Sequence, residues 1–304
     1  MKISITALTI AGGLLLFDAA GLLAQGGPGG GVSAGDPQNA NKPYDKHDLS
    51  GIWTRNGSPG GYGGGGTCRN CGDRGYSNEV PPLTPAGQKM FDANKPSYGR
   101  LLGSADAAAH PEEAIGRRRS VPPANGSDPY QYCNPMGPTR ALIYPDPLEM
   151  NVLPGKIIQQ FEWGNGVRTI WTDGRQPLMN PDLARWWGYS TGKWDGDTFV
   201  VTTTGVDERT WVDHFGYPHS DGMILEERYA RTAYDVMELN MTISDPKVYT
   251  APWKSQTKKF RKLANDGIKT VEGWTGLLED ICAPADDIDI FIKRIRDPAG
   301  GVVH

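Results

Sequence analysis

Ile224-Leu-Glu-Glu-Arg-Tyr-Ala-Arg-Thr232, a turn at Ala233-Tyr234-Asp235, and Val236-Met-Glu-Leu-Asn-Met-Thr-Ile-Ser244 decide the fold. In the first half Leu225, Glu227 and Tyr229 share one side, while Ile224, Glu226 and Arg228 share the other. In the second, Met237, Leu239, Met241 and Ile243 stand opposite Val236, Glu238, Asn240 and Thr242. Successive side chains of a strand point to opposite faces, so this alternation predicts two strands with one face in a core, joined as a hairpin.

The same signal continues upstream. Lys156 to Trp163 reads as a strand, and Gly164-Asn165-Gly166 turns it back into Val167 to Thr172. Asp173-Gly174 marks another turn, Trp186 to Trp194 a further strand, and Asp195-Gly196-Asp197 reverses the chain into the β-branched run Thr198 to Thr204. Tight turns between short strands predict an antiparallel meander, because a parallel pair needs a crossover of about a dozen residues or more. Open sheet edges recruit other chains, so such a meander is expected to close. The expected class is mainly β: an antiparallel meander closed into a barrel, with long Gly/Pro-rich N-terminal loops and little helix. A sandwich is the alternative. A short helix is expected from Thr84, as N-cap, through Pro85 to Ala93.

Residues 1–24 read as a signal peptide: Lys2 precedes an apolar stretch from Ile3 to Ala20, and Gly21-Leu22-Leu23-Ala24 ends it in small residues. Asp18 interrupts that stretch, and a membrane span needs about 20 apolar residues. Residues 25–47 are expected to form a flexible leader, and 48–304 a single barrel domain with a loop-rich insertion at 57–130. The expected location is outside the cytoplasm, periplasmic or extracellular and soluble, with no integral membrane segment after cleavage. A net charge of −4 argues against nucleic acid as a partner. The four cysteines, Cys68, Cys71, Cys133 and Cys282, suit disulfides in an oxidising compartment. Three pairings are open; the expected one joins Cys68 to Cys71 and Cys133 to Cys282.

Two resemblances add to this. Asp48-Leu49-Ser50-Gly51-Ile52-Trp53 resembles the entry of lipocalins, avidins and related calycin barrels, which implies that Gly51 lets the chain bend and Trp53 plugs the closed end. Trp171-Thr-Asp-Gly-Arg175, Trp187 to Asp197, Val206-Asp-Glu-Arg-Thr-Trp211, Pro218-His-Ser220, Glu227-Arg-Tyr229 and Thr242 to Tyr249 are similar to a family of exported bacterial proteins of unknown function. That similarity implies a family and no reaction.

Candidate chemistry gathers between strands. Asp207, Glu208, Arg209, Trp211, Asp213, His214, His219 and Asp221 fall in one connecting segment. His214 or His219 with Asp207 or Asp213 fits a catalytic acid–base pair, His214 and His219 with Asp213 or Asp221 fit a divalent-metal site, and the same residues fit a hydrogen-bonded structural loop. No metal is assigned and no cofactor is implied. At a strand end, Asp173 and Arg175 fit capture of a ligand anion, or a capped surface turn. Trp187, Tyr189, Trp211 and Arg209 are further candidate ligand contacts. Glu226 and Arg228 join them if their strand face points inward. The chain carries no Gly-rich phosphate loop after a strand, no Gly-x-Ser-x-Gly and no His-Glu-x-x-His.

Three functions are consistent with these residues. The leading one is an exported calycin-like barrel that binds a small, partly apolar molecule in its cavity. The second is a cofactor-independent hydrolase, lyase or isomerase using a His/Asp pair at the barrel mouth. The third is an envelope interaction module using the Gly-rich loops.

Overall fold

The computed structural model describes residues 35–55, 75–77, 79–94, 127–144, 146–213, 215–263, 276–278 and 282. The expected signal peptide, the Cys68–Cys71 staple, the Gly-rich loop at 57–66 and His214 lie outside these residues.

Ten strands form one sheet: β1 Gly51–Thr54, β2 Leu148–Leu153, β3 Lys156–Phe161, β4 Gly166–Trp171, β5 Tyr189–Asp195, β6 Thr198–Thr204, β7 Ile224–Ala233, β8 Val236–Ser244, β9 Trp253–Lys254 and β10 Lys258–Lys262. Neighbours in sequence pair from β1 to β8, and β10 pairs with both β1 and β8. Those contacts close a nine-stranded barrel, with β9 extending the β8 edge beyond β10. The fold is mainly β as expected and is consistent with a calycin-like barrel. Among the described residues there are two α-helices, α1 Pro85–Ala93 and α2 Pro138–Ile143. Thr84 caps α1 by accepting from the Gly87 N–H at 3.0 Å, and Phe91 stacks on Tyr217. No helix of the described residues is long and apolar enough to cross a membrane.

One joint departs from the antiparallel meander. β4 and β5 run parallel and share only two paired positions, Ile170 with Ser190 and Trp171 with Thr191. The segment from Thr172 to Gly188 provides the crossover, without a helix. The Asp173-Gly174 turn starts this crossover and does not close a hairpin. Trp186 and Trp187 belong to it too, since the Gly188 N–H bonds Arg185 O in a turn and the ladder begins at Tyr189. Strands β2, β9 and β10 were not expected. Leu148 and Met150 alternate inward on β2 before the Pro154-Gly155 turn, a signal of the same kind as in the strands that were read.

The inward rows of the barrel are mostly apolar, with a few buried charged side chains among them. Leu225, Tyr229, Met237, Leu239, Met241 and Ile243 are buried as the alternation requires. Within the same inward rows Glu227 is 0% exposed and Arg168 is 1% exposed. Arg168 uses all five of its N–H groups. Its Nη1 donates to Gln159 Oε1 (3.1 Å) and Glu227 Oε2 (3.0 Å), and its Nη2 to Glu227 Oε1 (2.6 Å) and Thr203 Oγ1 (2.5 Å). Its Nε donates to Ser190 Oγ at 2.9 Å. The Tyr229 hydroxyl donates to Glu227 Oε2 at 2.6 Å. Burial, together with the Glu227 carboxylate, holds the Tyr229 phenol well above its usual pKa, so it remains a donor. A buried ion pair needs such complete satisfaction, because its desolvation cost is several kcal/mol per ion, of order the attraction that offsets it.

Trp53 lies toward the barrel end that carries the β7–β8 turn. The ring is fully buried, and its Nε1–H donates to Leu49 O at 2.9 Å. Gly51 has φ +112°, a backbone conformation that favours glycine. Arg231 lies over the Trp53 ring and donates to Asp48 O (2.7 Å) and Tyr234 O (2.5 Å), tying the β7–β8 turn to the chain entering β1. Residues 35–47, assigned to the leader on sequence, also contact this end: the Asp36 N–H and Asn39 Nδ2 both donate to Asp235, and Lys46 pairs with Asp197. Toward the other end, Cys133 and Cys282 form a disulfide with Cα atoms 5.4 Å apart, across 149 residues of chain.

Two measurements check this architecture. Trp53→Ala empties a fully buried site and is expected to cost about 3–5 kcal/mol in a denaturant titration; a loss of a few tenths would mean that the ring is not an integral part of the core. Glu227→Gln leaves Arg168 buried without its counterion and is expected to cost about 3–5 kcal/mol, while Arg168→Met combined with Glu227→Leu costs far less than the two single changes together. Additive costs would show that the pair is not coupled.

Candidate functional site

The short pairing of β4 with β5 leaves the two strands without a ladder beyond Ile170 and Trp171, and the crossover lies over the opening. A cleft of about 570 Å³ results. Val167, Thr169 and Trp171 form its floor from the outer face of β4. Gln176, Leu178, Arg185, Trp186, Trp187 and Tyr189 form its walls, with Arg175 at the edge. Three of the candidates chosen from sequence, Arg175, Trp187 and Tyr189, therefore meet in one place. Arg185 and Trp186, which were not singled out, join them.

Each wall residue is held. Trp187 stacks on Phe161 with centroids 5.1 Å apart and rings nearly parallel. Its ring crosses β4 at Gly166, where a Cβ would lie 2.2 Å from the indole. Only glycine admits the tryptophan there. The Tyr189 hydroxyl donates to Leu183 O at 2.9 Å, which pins the ring beneath the crossover. Arg185 is fixed by its backbone: its N–H donates to Gly205 O at 2.9 Å, and its carbonyl accepts from the Asp207 N–H at 2.9 Å. The Arg185 guanidinium lies 4.6 Å from the Tyr189 ring centroid, Arg175 3.8 Å from Trp171, and Arg209 4.2 Å from Trp186. Three arginine–aromatic stacks thus border the cleft, each a favourable cation–π arrangement.

Asp173 faces Arg175. Both its oxygens accept from Arg175, Oδ2 from Nη2 at 2.6 Å, and this pairing holds the Asp173 carboxyl below its usual pKa. The capped-turn reading of these two residues is the one realised. Asp207 and Arg209 pair in the same way at 2.6 Å, and Arg209 touches the cleft only through the back of Trp186. Glu226 and Arg228 lie on the outer barrel face, since β7 buries the alternate row; Arg228 donates to Asp195 at 3.0 Å. They are a surface pair that does not line the cleft. Trp211 is buried in the loop between β6 and β7 and does not line the cleft.

The expected acid–base group is not assembled among the described residues. Asp213 is fully buried and accepts from two backbone N–H groups, Phe215 at 2.9 Å and Tyr76 at 3.2 Å. His219 is also fully buried. Its Nδ1–H donates to Ser220 O at 3.0 Å, so Nε2 accepts from the Thr210 hydroxyl at 2.7 Å. Burial lowers its pKa, although Ser220 O and the nearby Asp245, Asp207 and Glu208 oppose that shift. A neutral imidazole with both nitrogens engaged is a structural element. No group of three or more His, Cys, Asp or Glu residues suited to a metal ion occurs among the described residues.

No family model matches this chain, and comparison with curated proteins and with solved structures finds no match for it.

His219 makes the stability depend on pH. Its folded pKa lies below the unfolded value of about 6.5, so the unfolded chain takes up the proton first and stability falls as pH drops below about 6.5. Thermal melts of parent and His219→Gln should differ most near pH 7.5, and the gap should narrow as pH falls through 6.5 toward the folded pKa. A gap that stays constant from pH 7.5 to 5 would mean that His219 is not held neutral.

Proposed function

We propose that this protein binds a small molecule with a flat, apolar body in the cleft between β4 and β5. The observation that carries this reading is the cleft itself: about 570 Å³, lined by Trp171, Trp186, Trp187, Tyr189 and Leu178. Small-molecule sites fall within about 300–1,000 Å³ and combine apolar and aromatic walls with a few polar groups. Leu178, Met179 and Leu183 on the crossover are at least half exposed, as are few other large apolar side chains of the described residues. Exposed apolar groups clustered beside a concavity support a binding surface.

The ligand position proposed here is the seam and not the barrel centre, because the Arg168–Glu227 network and its apolar neighbours occupy the interior. The proposal uses no acid–base pair, since His219 and Asp213 are buried and engaged. We further propose that the protein works outside the cytoplasm. The small-residue-ended apolar stretch before Gln25 and the Cys133–Cys282 disulfide both support this, as structural disulfides persist in oxidising compartments.

N-phenyl-1-naphthylamine, an uncharged dye that fluoresces when it leaves water, tests the cleft. The parent is expected to bind it with energy transfer from tryptophan. Trp186→Ala should weaken binding about tenfold, as loss of one aromatic anchor does. The outer-face change Arg228→Gln should leave affinity within about twofold, since it touches no cleft residue. Binding unchanged in Trp186→Ala would place the site elsewhere and refute the reading.

A further inference from the structure

We propose that the cleft selects ligands bearing an anionic group, a carboxylate or sulfonate, and that Arg185 is the residue that receives it; this rests on the cleft being the binding site. Three arginines line the cleft, Arg168, Arg175 and Arg185. Arg168 has each of its five N–H groups committed inside the barrel. Arg175 is held by both oxygens of Asp173, from 2.6 to 3.1 Å, so its charge is matched. Arg185 differs. Among the described residues its guanidinium has no carboxylate and no hydrogen-bond acceptor; its one side-chain partner is the face of Tyr189.

That arrangement is suited to anion recognition. Stacking on a tyrosine fixes the guanidinium plane while leaving its N–H edges open, and a planar fork with fixed orientation binds carboxylate-type groups through two parallel hydrogen bonds. The support beneath it is rigid. The Arg185 backbone is bonded on both sides to the segment after β6, through Gly205 and Asp207, and Tyr189 is anchored to Leu183 O. Little side-chain order remains to be bought at binding, which favours affinity. The apolar walls supplied by Trp186, Trp187 and Leu178 lie on the same cleft, so the ligand is amphipathic: an anionic head on Arg185 and an apolar body along the tryptophans. Two acidic residues bordering the cleft are already matched. Asp173 pairs with Arg175, and Asp207 pairs with Arg209, so neither leaves an unmatched negative charge against the incoming anion.

The test compares two dyes of the same ring framework on the full oxidised chain: 1-anilinonaphthalene-8-sulfonate, which is an anion, and uncharged N-phenyl-1-naphthylamine. The parent should bind the sulfonate at least about tenfold more tightly, and added salt should weaken only the sulfonate. Arg185→Gln should erase that preference while the neutral dye keeps its affinity within about threefold, because only the charge-assisted bonds are lost. Arg185→Lys should restore part of it, as a point charge without the planar fork. Arg175→Gln should leave the preference intact. A preference that survives Arg185→Gln, or that vanishes with Arg175→Gln, overturns the assignment while the cleft stands. Failure of both dyes to bind, or neutral-dye binding indifferent to Trp186→Ala, removes the cleft reading and the anion site with it.

Discussion

The ion pair between Arg168 and Glu227 is the interaction on which the barrel wall depends. Its partners come from five consecutive strands: Gln159 on β3, Arg168 on β4, Ser190 on β5, Thr203 on β6, and Glu227 with Tyr229 on β7. The backbone ladder is continuous across most of this wall but has only two paired positions between β4 and β5. There the Arg168 Nε to Ser190 Oγ bond crosses the joint from inside. A guanidinium with five satisfied donors does the connecting that the missing ladder does not. Because it is buried, that connection is unscreened by salt and intolerant of losing any one partner.

The weak joint has a consequence on the outer surface. Parallel strands cannot be joined by a tight turn, so the chain must travel from the end of β4 to the start of β5 over the barrel wall. In this protein the crossover is an irregular loop rich in aromatic and apolar residues. It covers the stretch where the strands lack a common ladder. The cleft is the space left between that loop and the outer face of β4. Its walls are fixed from below by Gly166, which lets Trp187 close on the strand, and from the side by the backbone bonds of Arg185. The same topological irregularity therefore creates the binding surface and calls for the internal pair that stabilises it.

Much of the polar chemistry that stands out in the chain is used for structure. Asp213 ties two backbone donors, His219 bridges Thr210 and Ser220, and Arg231 links three segments around Trp53. These groups lie in segments that close the barrel ends, where backbone N–H and C=O groups leave the sheet and need other partners. A buried histidine between strands is then a link with both ring nitrogens hydrogen-bonded. Three aspartates, Asp173, Asp207 and Asp221, are held by basic residues nearby, which leaves Arg185 as the distinctive cation at the cleft.

Sequence alone determined the strand character of β3 through β8 and the buried row of β8, because period-two alternation is a local property and each turn residue acts on its own neighbours. It also marked Thr84 as a helix cap and Cys133 with Cys282 as partners. The alternation placed Glu227 on one side with Leu225 and Tyr229, but neither the burial of that side nor the opposing charge followed from it, since Arg168 reaches Glu227 by register across three strands. The outward direction of Glu226 and Arg228 followed only once the barrel chose which face to enclose. The reversal of β5 relative to β4, the gathering of Arg175, Arg185, Trp186, Trp187 and Tyr189 around one cleft, and the burial of His219 were decided by tertiary structure. Each depends on where the Thr172–Gly188 crossover and the β6–β7 loop settle on the closed barrel, and no local pattern of residues carries that information.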